Sequence, residues 1–201
     1  MGRLGAKRSD NVSQEKSQMT WDIDRKCLAE LASSVAHGVI VEIGSFHGLS
    51  AVAIAEVASV PVYCIDMWDL TFELDFRRQK TFRGGATQRR PDNHAKFKEY
   101  VMSHGMQDKI VDIQGISGEI AKAWTRPIGL LFIDGDHSYE GCMLDYNGYG
   151  KWVIAGGYLA IHDYNQHHPG IEQAVLDIKR SGLWEGWQVE GTTVTSLRRA
   201  L

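Results

Sequence analysis

The segment Gly38–Ala58, "GVIVEIGSFHGLSAVAIAEVA", decides the fold. Val39, Ile40, Val41 and Ile43 make a short β-branched run, interrupted by Glu42 and stopped at Gly44. Runs of this kind mark a strand covered on both faces, the usual state of a parallel sheet. From Leu49 the pattern becomes alanine-rich with apolar residues at helical spacing, so a helix follows that can lie close on that sheet. A strand that passes through a glycine turn into a helix is a βα unit, and the unit recurs along the chain.

Outward from it, "VPVYCID", "KIVDIQG", "IGLLFIDGD" and "GGYLAIHDY" predict four more buried strands. Helices are expected over Asp92–His104, Ser117–Trp124, Tyr139–Trp152 and Ile171–Arg180. Another is expected ahead of the first strand, over Trp21–Val35, where Leu28, Leu31 and Val35 share a helical spacing. The final "WQVEGTTVTSL" alternates and turns at Gly191, which predicts an antiparallel pair. The expected class is therefore α/β: a Rossmann-like, open, mostly parallel seven-stranded sheet with helices on both faces and a C-terminal antiparallel hairpin. Residues 1–20 read as a flexible leader, 21–201 as a single domain, and 69–91 as an inserted loop or lid.

The chain has 201 residues, 43% hydrophobic and 23% charged, enough for a full α/β core and unlike a disordered protein. A net charge of −3 gives no general case for nucleic acid. Charge is uneven, however: Arg77, Arg78, Lys80, Arg83, Arg89 and Arg90 follow one another with no acid between them. A solvated loop is the favoured reading of that segment, and attraction of an anion the other. Cys27, Cys64 and Cys142 are odd in number and widely spaced, which suits free thiols in a reducing compartment. No signal-peptide pattern and no apolar run of ~20 residues is present. A soluble cytoplasmic protein without membrane partners is expected. Nothing in the sequence fixes oligomeric state, although the 69–91 segment is one place where a second copy would bind.

In such sheets the ligand lies beyond the carboxyl ends of the strands, which singles out Glu42, Gly44, Asp66, Gly115, Asp134, His162 and Asp163. Gly44, Gly48 and Ser50 form a turn whose glycines permit close backbone approach and whose helix start presents free N–H groups. The spacing is not that of a dinucleotide fingerprint. A purely structural turn competes with the binding reading. Asp66 ends the second strand, where an acid can accept from both hydroxyls of a ribose; a cap is the alternative. Trp68 suits an adenine face or a structural core equally. In "GISGE", Ile116 and Ser117 offer backbone amides and a hydroxyl to an adenine edge.

With these motifs the chain resembles the class I S-adenosylmethionine-dependent methyltransferases from about Trp21 to its C-terminus. "VEIGSFHGLS" looks like their first glycine motif, "YCIDMW" like their ribose-binding acid, and the final pair like their terminal hairpin. "FIDGDHSYEG" with "GGYLAIHDY" resembles, more narrowly, the macrocin-type sugar O-methyltransferases and their cephalosporin-pathway relatives. The resemblance implies S-adenosylmethionine as cofactor, with Glu42, Gly44 and Ser45 around its methionine part and Asp66 at its ribose. Gly48, Ser50, Trp68, Ile116, Ser117 and Asp134 complete that side. Those relatives carry a metal-binding Asp followed three residues later by a base His, so Asp134 and His137 inherit these roles. They place two adjacent acids where this chain has His162 and Asp163, so a metal set of Asp134, His162 and Asp163 has a softer member than Mg²⁺ prefers. A metal-free site that relies on His137 alone stays open.

The remaining polar residues have plainer readings. Asp136 caps the helix that starts near Ser138, Glu140 and Asp145 face solvent, His167 and His168 lie in an exposed loop, His47 packs in the glycine turn, and Cys64 is core. The expected function is O-methylation of a small-molecule hydroxyl, possible with or without a divalent cation. Three alternatives remain: metal-independent transfer to nitrogen or another acceptor, nucleic-acid modification through Arg77–Arg90, and a non-catalytic cofactor-binding module.

Overall fold

The computed structural model describes residues 22–68, 92–164, 168–190 and 194–200. The expected leader, the 69–91 segment with its six basic residues, His167 and the Gly191 turn lie outside these. A helix over 22–33 (α1) precedes β1 (Val39–Ile43). There follow α2 (Leu49–Val57), β2 (Val62–Asp66), α3 (Asn93–Ser103), β3 (Ile110–Gln114) and α4 (Ser117–Ala121). The chain continues through β4 (Ile128–Ile133), α5 (Tyr139–Tyr149), β5 (Val153–Ile161), α6 (Pro169–Arg180), β6 (Trp184–Glu190) and β7 (Val194–Arg199). The helix expected over Tyr139–Trp152 ends in a tighter 3₁₀ turn at Gly150–Trp152. The strand expected from Gly156 starts at Val153, because a register shift lets Val153 pair with Ile128 before Tyr158 pairs with Leu130.

The seven strands are ordered β3-β2-β1-β4-β5-β7-β6. The first five are parallel, and β7 runs antiparallel to both β5 and β6. The chain steps from β1 outward to β3, then returns to lay β4 against the other side of β1. That reversal opens a crevice at the carboxyl ends of β1 and β4.

Strand periodicity sorts the core into two layers. Val41, Ile43, Leu131, Ile133, Leu159 and Ile161 face Cys142 and Tyr149 of α5 and Ile171, Ala174, Val175 and Ile178 of α6. Ile40, Leu130, Phe132 and Ala160 face Leu28, Leu31 and Ala32 of α1, Ala51, Val52 and Ile54 of α2, and Phe97 of α3. The alanines let α2 come close to the sheet. Even-numbered positions of β4 and β5 therefore look toward α1, which places the residues that follow them, Asp134 and His162.

Gly129 inside β4 has a packing reason. A Cβ there would meet the His37 carbonyl oxygen at 2.5 Å and the Val35 side chain. Backbone on one side and β-branched core on the other leave no room to yield. Gly129→Ala is expected to lower unfolding stability by about 3 kcal/mol, the upper part of the overpacking range. A denaturant midpoint unchanged from wild type would show that the α1–β1 connection gives way instead.

Candidate active site

The end of β1 is built around Asp66. Its Oδ2 accepts the Phe46 N–H at 2.8 Å and its Oδ1 accepts the Trp68 N–H at 2.6 Å. Phe46 and Trp68 both have left-handed backbones, with φ of 43° and 44°. Non-glycine residues held this way store strain that the surroundings must offset. One carboxylate thus fixes two strained turns, and the Trp68 indole Nε1 donates to the Phe46 carbonyl at 2.7 Å to join them. The Trp68 ring stacks on His94 at 4.2 Å and tilts against Phe97 at 4.9 Å, so at least one of its faces belongs to α3. His47 lies alongside, with its Nε2 3.1 Å from Asn93 Oδ1.

Gly44 has φ +91°, and a Cβ on it would run into the Asp134 carbonyl. The glycine is required by the approach of β4 to β1, where the Asp134 N–H donates to the Ile43 carbonyl at 2.8 Å. Glu42, Ser45 and Ser50 sit beneath the turn, all buried. Burial raises the Glu42 pKa, and Cys64 Sγ donates to Glu42 Oε2 at 3.4 Å. Glu42 Oε1 and Ser45 Oγ are buried with no hydrogen bond of ordinary geometry among the described residues, although Ser50 and Ser45 lie close enough to Glu42 to lower its pKa in part. Buried polar atoms of this kind are rare unless something else satisfies them. An ammonium or hydroxyl donor from a ligand would do so.

On the other side of β1, Ile116 and Ser117 start α4 beside α5. Here the structure corrects the sequence reading of Asp145. Its carboxylate is 3% exposed, not on the solvent face, and Ser117 Oγ donates to it at 2.5 Å. The Tyr149 hydroxyl donates to the Ser117 carbonyl at 2.9 Å, so α5 grips the start of α4 by both its side chain and its backbone. The cap of α5 is likewise Ser138, whose Oγ accepts the Gly141 N–H at 3.0 Å. Asp136 supports it one step earlier by accepting the Ser138 N–H at 2.8 Å.

The ends of β4 and β5 bring the remaining candidates together. His137 Nε2 lies 3.0 Å from Asp163 Oδ2 and 3.8 Å from Asp134 Oδ1. His162 Nδ1 lies 3.1 Å from Asp134 Oδ1 and 3.4 Å from Asp163 Oδ1. His168 joins them: its Nε2 is 3.8 Å from Asp163 Oδ2 and its ring meets His137 edge-on at 4.6 Å. It is therefore part of the cluster, not a free loop residue, because α6 begins at Pro169 and holds His168 as its N-cap. Asp163 itself is left-handed, with φ 59°. A further member, Asp24 of α1, is 2% exposed with Oδ2 3.5 Å from His162 Nε2. The sequence reading passed over Asp24, whose only local signal is an acid on the apolar side of an amphipathic helix, four residues before Leu28.

The charges explain one another. Hydrogen bonds to Asp134 and Asp163 lift the His137 pKa to about 9. Burial would lower that of His162, but Asp134 and Asp24 lift it to about 10. Burial would raise Asp163, yet the imidazoles of His137, His162 and His168 hold it below the ordinary carboxylate value. At neutral pH the cluster balances its acids with imidazolium.

Asp145 behaves differently, since burial raises its pKa to about 6. An acid whose folded pKa exceeds its unfolded value adds stability below the unfolded pKa and loses it as pH rises through the folded one. From about pH 4 to about pH 6 this group should cost roughly 2–3 kcal/mol. Asp145→Asn is expected to flatten the fall of stability across that window in urea melts, while an unchanged slope would place the titration elsewhere.

Known proteins resemble this chain in sequence and in fold. Residues 41–164 match the family described as methyltransferase domain. Among solved structures, the O-methyltransferase NovP superposes with a TM-score of 0.67 at 16% identity, covering 90% of this chain and 79% of its own. The O-methyltransferase TomG from Streptomyces achromogenes, involved in tomaymycin synthesis and solved in complex with S-adenosylmethionine, superposes with a TM-score of 0.63 at 14% identity, covering 88% of this chain and 79% of its own. An uncharacterized protein, R132 of Acanthamoeba polyphaga mimivirus, is 40% identical over 58 residues, 26% of either chain. The match thus spans about a quarter of that relative's length. The family match covers more than half of the chain, including the glycine turn of β1 and the His–Asp pair after β5. This chain belongs to the methyltransferase domain family.

Proposed function

We propose that the protein methylates a hydroxyl group of a small molecule. The observation that carries this reading is the cluster at the ends of β4 and β5. There His137 Nε2 stands within 3.0 Å of Asp163 and 3.8 Å of Asp134, next to the crevice between β1 and β4. His137 is the more open member, 39% exposed against 14% for Asp134 and 7% for His162, so an acceptor can reach its ring. A hydroxyl bound there would give up its proton to His137 once the ring is neutral, and proton removal is the step that turns an alcohol oxygen into an effective nucleophile. Because Asp134 and Asp163 lift the His137 pKa to about 9, transfer would rise with pH toward that value unless a cation takes over the two carboxylates.

S-Adenosylmethionine supplies the electrophilic methyl group, and the work left to the protein is chiefly alignment. Glu42, Gly44, Ser45, Gly48 and Ser50 would enclose its methionine end, where the buried Glu42 Oε1 and Ser45 Oγ suit donors of the ligand. Asp66 keeps lone pairs beyond the two backbone N–H groups it accepts, enough to take ribose hydroxyls. Ile116 and Ser117, steadied by Asp145 and Tyr149, would meet the adenine edge, with Trp68 on the same rim and Asp134 between donor and acceptor.

The donor atoms of Asp134, His162 and Asp163 also fit a divalent cation, since they lie within 4.8 Å of one another. Such an ion would take over the charge balance that His137 provides and make a coordinated hydroxyl more acidic. Without the ion, proton removal by His137 would need the neutral ring, which Asp134 and Asp163 disfavour below about pH 9.

The test is transfer of a labelled methyl group from S-adenosylmethionine to a panel of small hydroxyl compounds, with products mapped by mass spectrometry. O-linked product, lost with chelator and restored by a divalent ion, is expected; label found only on nitrogen or on nucleic acid would overturn the reading. His137→Ala should leave S-adenosylhomocysteine affinity intact and slow turnover ~10²–10⁴-fold. Asp66→Ala should weaken that affinity by ~1–3 kcal/mol in calorimetry; an unaltered affinity removes Asp66 from the ribose.

A further inference from the structure

His162 stands where an acid would complete an oxygen-only site, and carboxylates flank both of its ring nitrogens. Nδ1 looks at Asp134 Oδ1 and Asp163 Oδ1, 3.1 and 3.4 Å away. Nε2 looks back at Asp24 Oδ2, 3.5 Å away inside the α1 layer. Sheet parity produces this arrangement, since His162 follows Ala160 on the face that α1 covers. Were a cation to displace the Nδ1 proton, a carboxylate behind Nε2 would hold the remaining N–H and aim the Nδ1 lone pair at the ion, which is how proteins orient imidazole ligands.

We propose that Asp134, His162 and Asp163 form a mixed nitrogen–oxygen centre that takes a borderline divalent transition ion of the Co²⁺, Zn²⁺ or Mn²⁺ type, with Asp24 as the positioning residue of its imidazole ligand. The inference rests on the reading that the two carboxylates hold a cation, and it names the kind of cation and the residue that selects it. Imidazole suits such ions better than Mg²⁺, which favours carboxylate, phosphate and water oxygens. Asp24 is 2% exposed, so it holds the ring from a side that solvent and acceptor do not reach. The two remaining imidazoles sit on the other oxygen of Asp163, with His137 at 3.0 Å and His168 at 3.8 Å from Oδ2. They leave Oδ1 to the His162 side. A simpler role for Asp24, an ion pair that ties α1 to the sheet, involves no metal and makes different predictions.

The experiment uses the full chain stripped with chelator and titrated with Co²⁺, followed by visible absorption and by paramagnetically shifted proton resonances. One Co²⁺ per chain is expected. So is a shifted imidazole N–H that exchanges slowly with solvent, because it is Nε2–H held by buried Asp24. Asp24→Asn should weaken Co²⁺ binding about 10–100-fold and let that N–H exchange quickly; His162→Gln should abolish the resonance. Bound Co²⁺ with no slowly exchanging imidazole N–H overturns the proposal, and this reading needs no variant to fold. Full Co²⁺ affinity in Asp24→Asn, or Mg²⁺ that outcompetes Co²⁺ at equal concentration, overturns it too, while leaving a cation site in place. Binding of neither ion would sink the cation reading along with it.

Discussion

Two carboxylates end adjacent strands with little access to water, Asp134 at 14% and Asp163 at 13% exposure, and they have to be compensated. Two acids so close in a low-dielectric setting repel each other, and positive charge nearby offsets that repulsion. His162 comes from the same turn as Asp163, His137 from the loop that carries Asp134, and His168 from the start of α6. Three segments therefore meet at one charge problem. A cation on the carboxylates and imidazolium beside them are alternative answers to it, and only the first would leave His137 neutral and able to take a proton near neutral pH.

A second constraint acts across the crevice. Gly44 must lack a side chain because β4 comes so near, and Phe46 and Trp68 adopt left-handed backbones that Asp66 pins with two hydrogen bonds. These features give that side of the crevice a fixed shape. The side at the ends of β4 and β5 is held by charge. The crevice lies between a rigid, hydrogen-bonded rim and an electrostatically balanced one, and α6 ties the latter to the sheet through its cap His168.

The family to which the chain belongs explains the chemistry it can perform, yet the cluster has its own composition. His162 brings nitrogen into a site that acids alone would make harder, and Asp24 contributes from a helix that precedes the whole sheet. The effect is local, since it concerns one side chain and the carboxylate behind it, but it bears on which cation the site would prefer.

Much of this was legible in the linear order of residues. The β-branched runs, the glycines that stop them and the alanine-rich helix after Gly48 specify parallel strands joined through helices, because these signals are short-range and repeat with the period of the element. The same order places Glu42, Asp66, Asp134, His162 and Asp163 at strand ends. Only the tertiary structure could show that Asp145 turns inward to hold Ser117, that His168 joins Asp163, that Asp66 clamps two strained turns, and that Asp24 reaches His162. Each of these depends on which faces of distant elements are pressed together. Local pattern sets the backbone of an element and the side it buries, whereas the partner of a buried charge is chosen by packing between elements far apart in the chain.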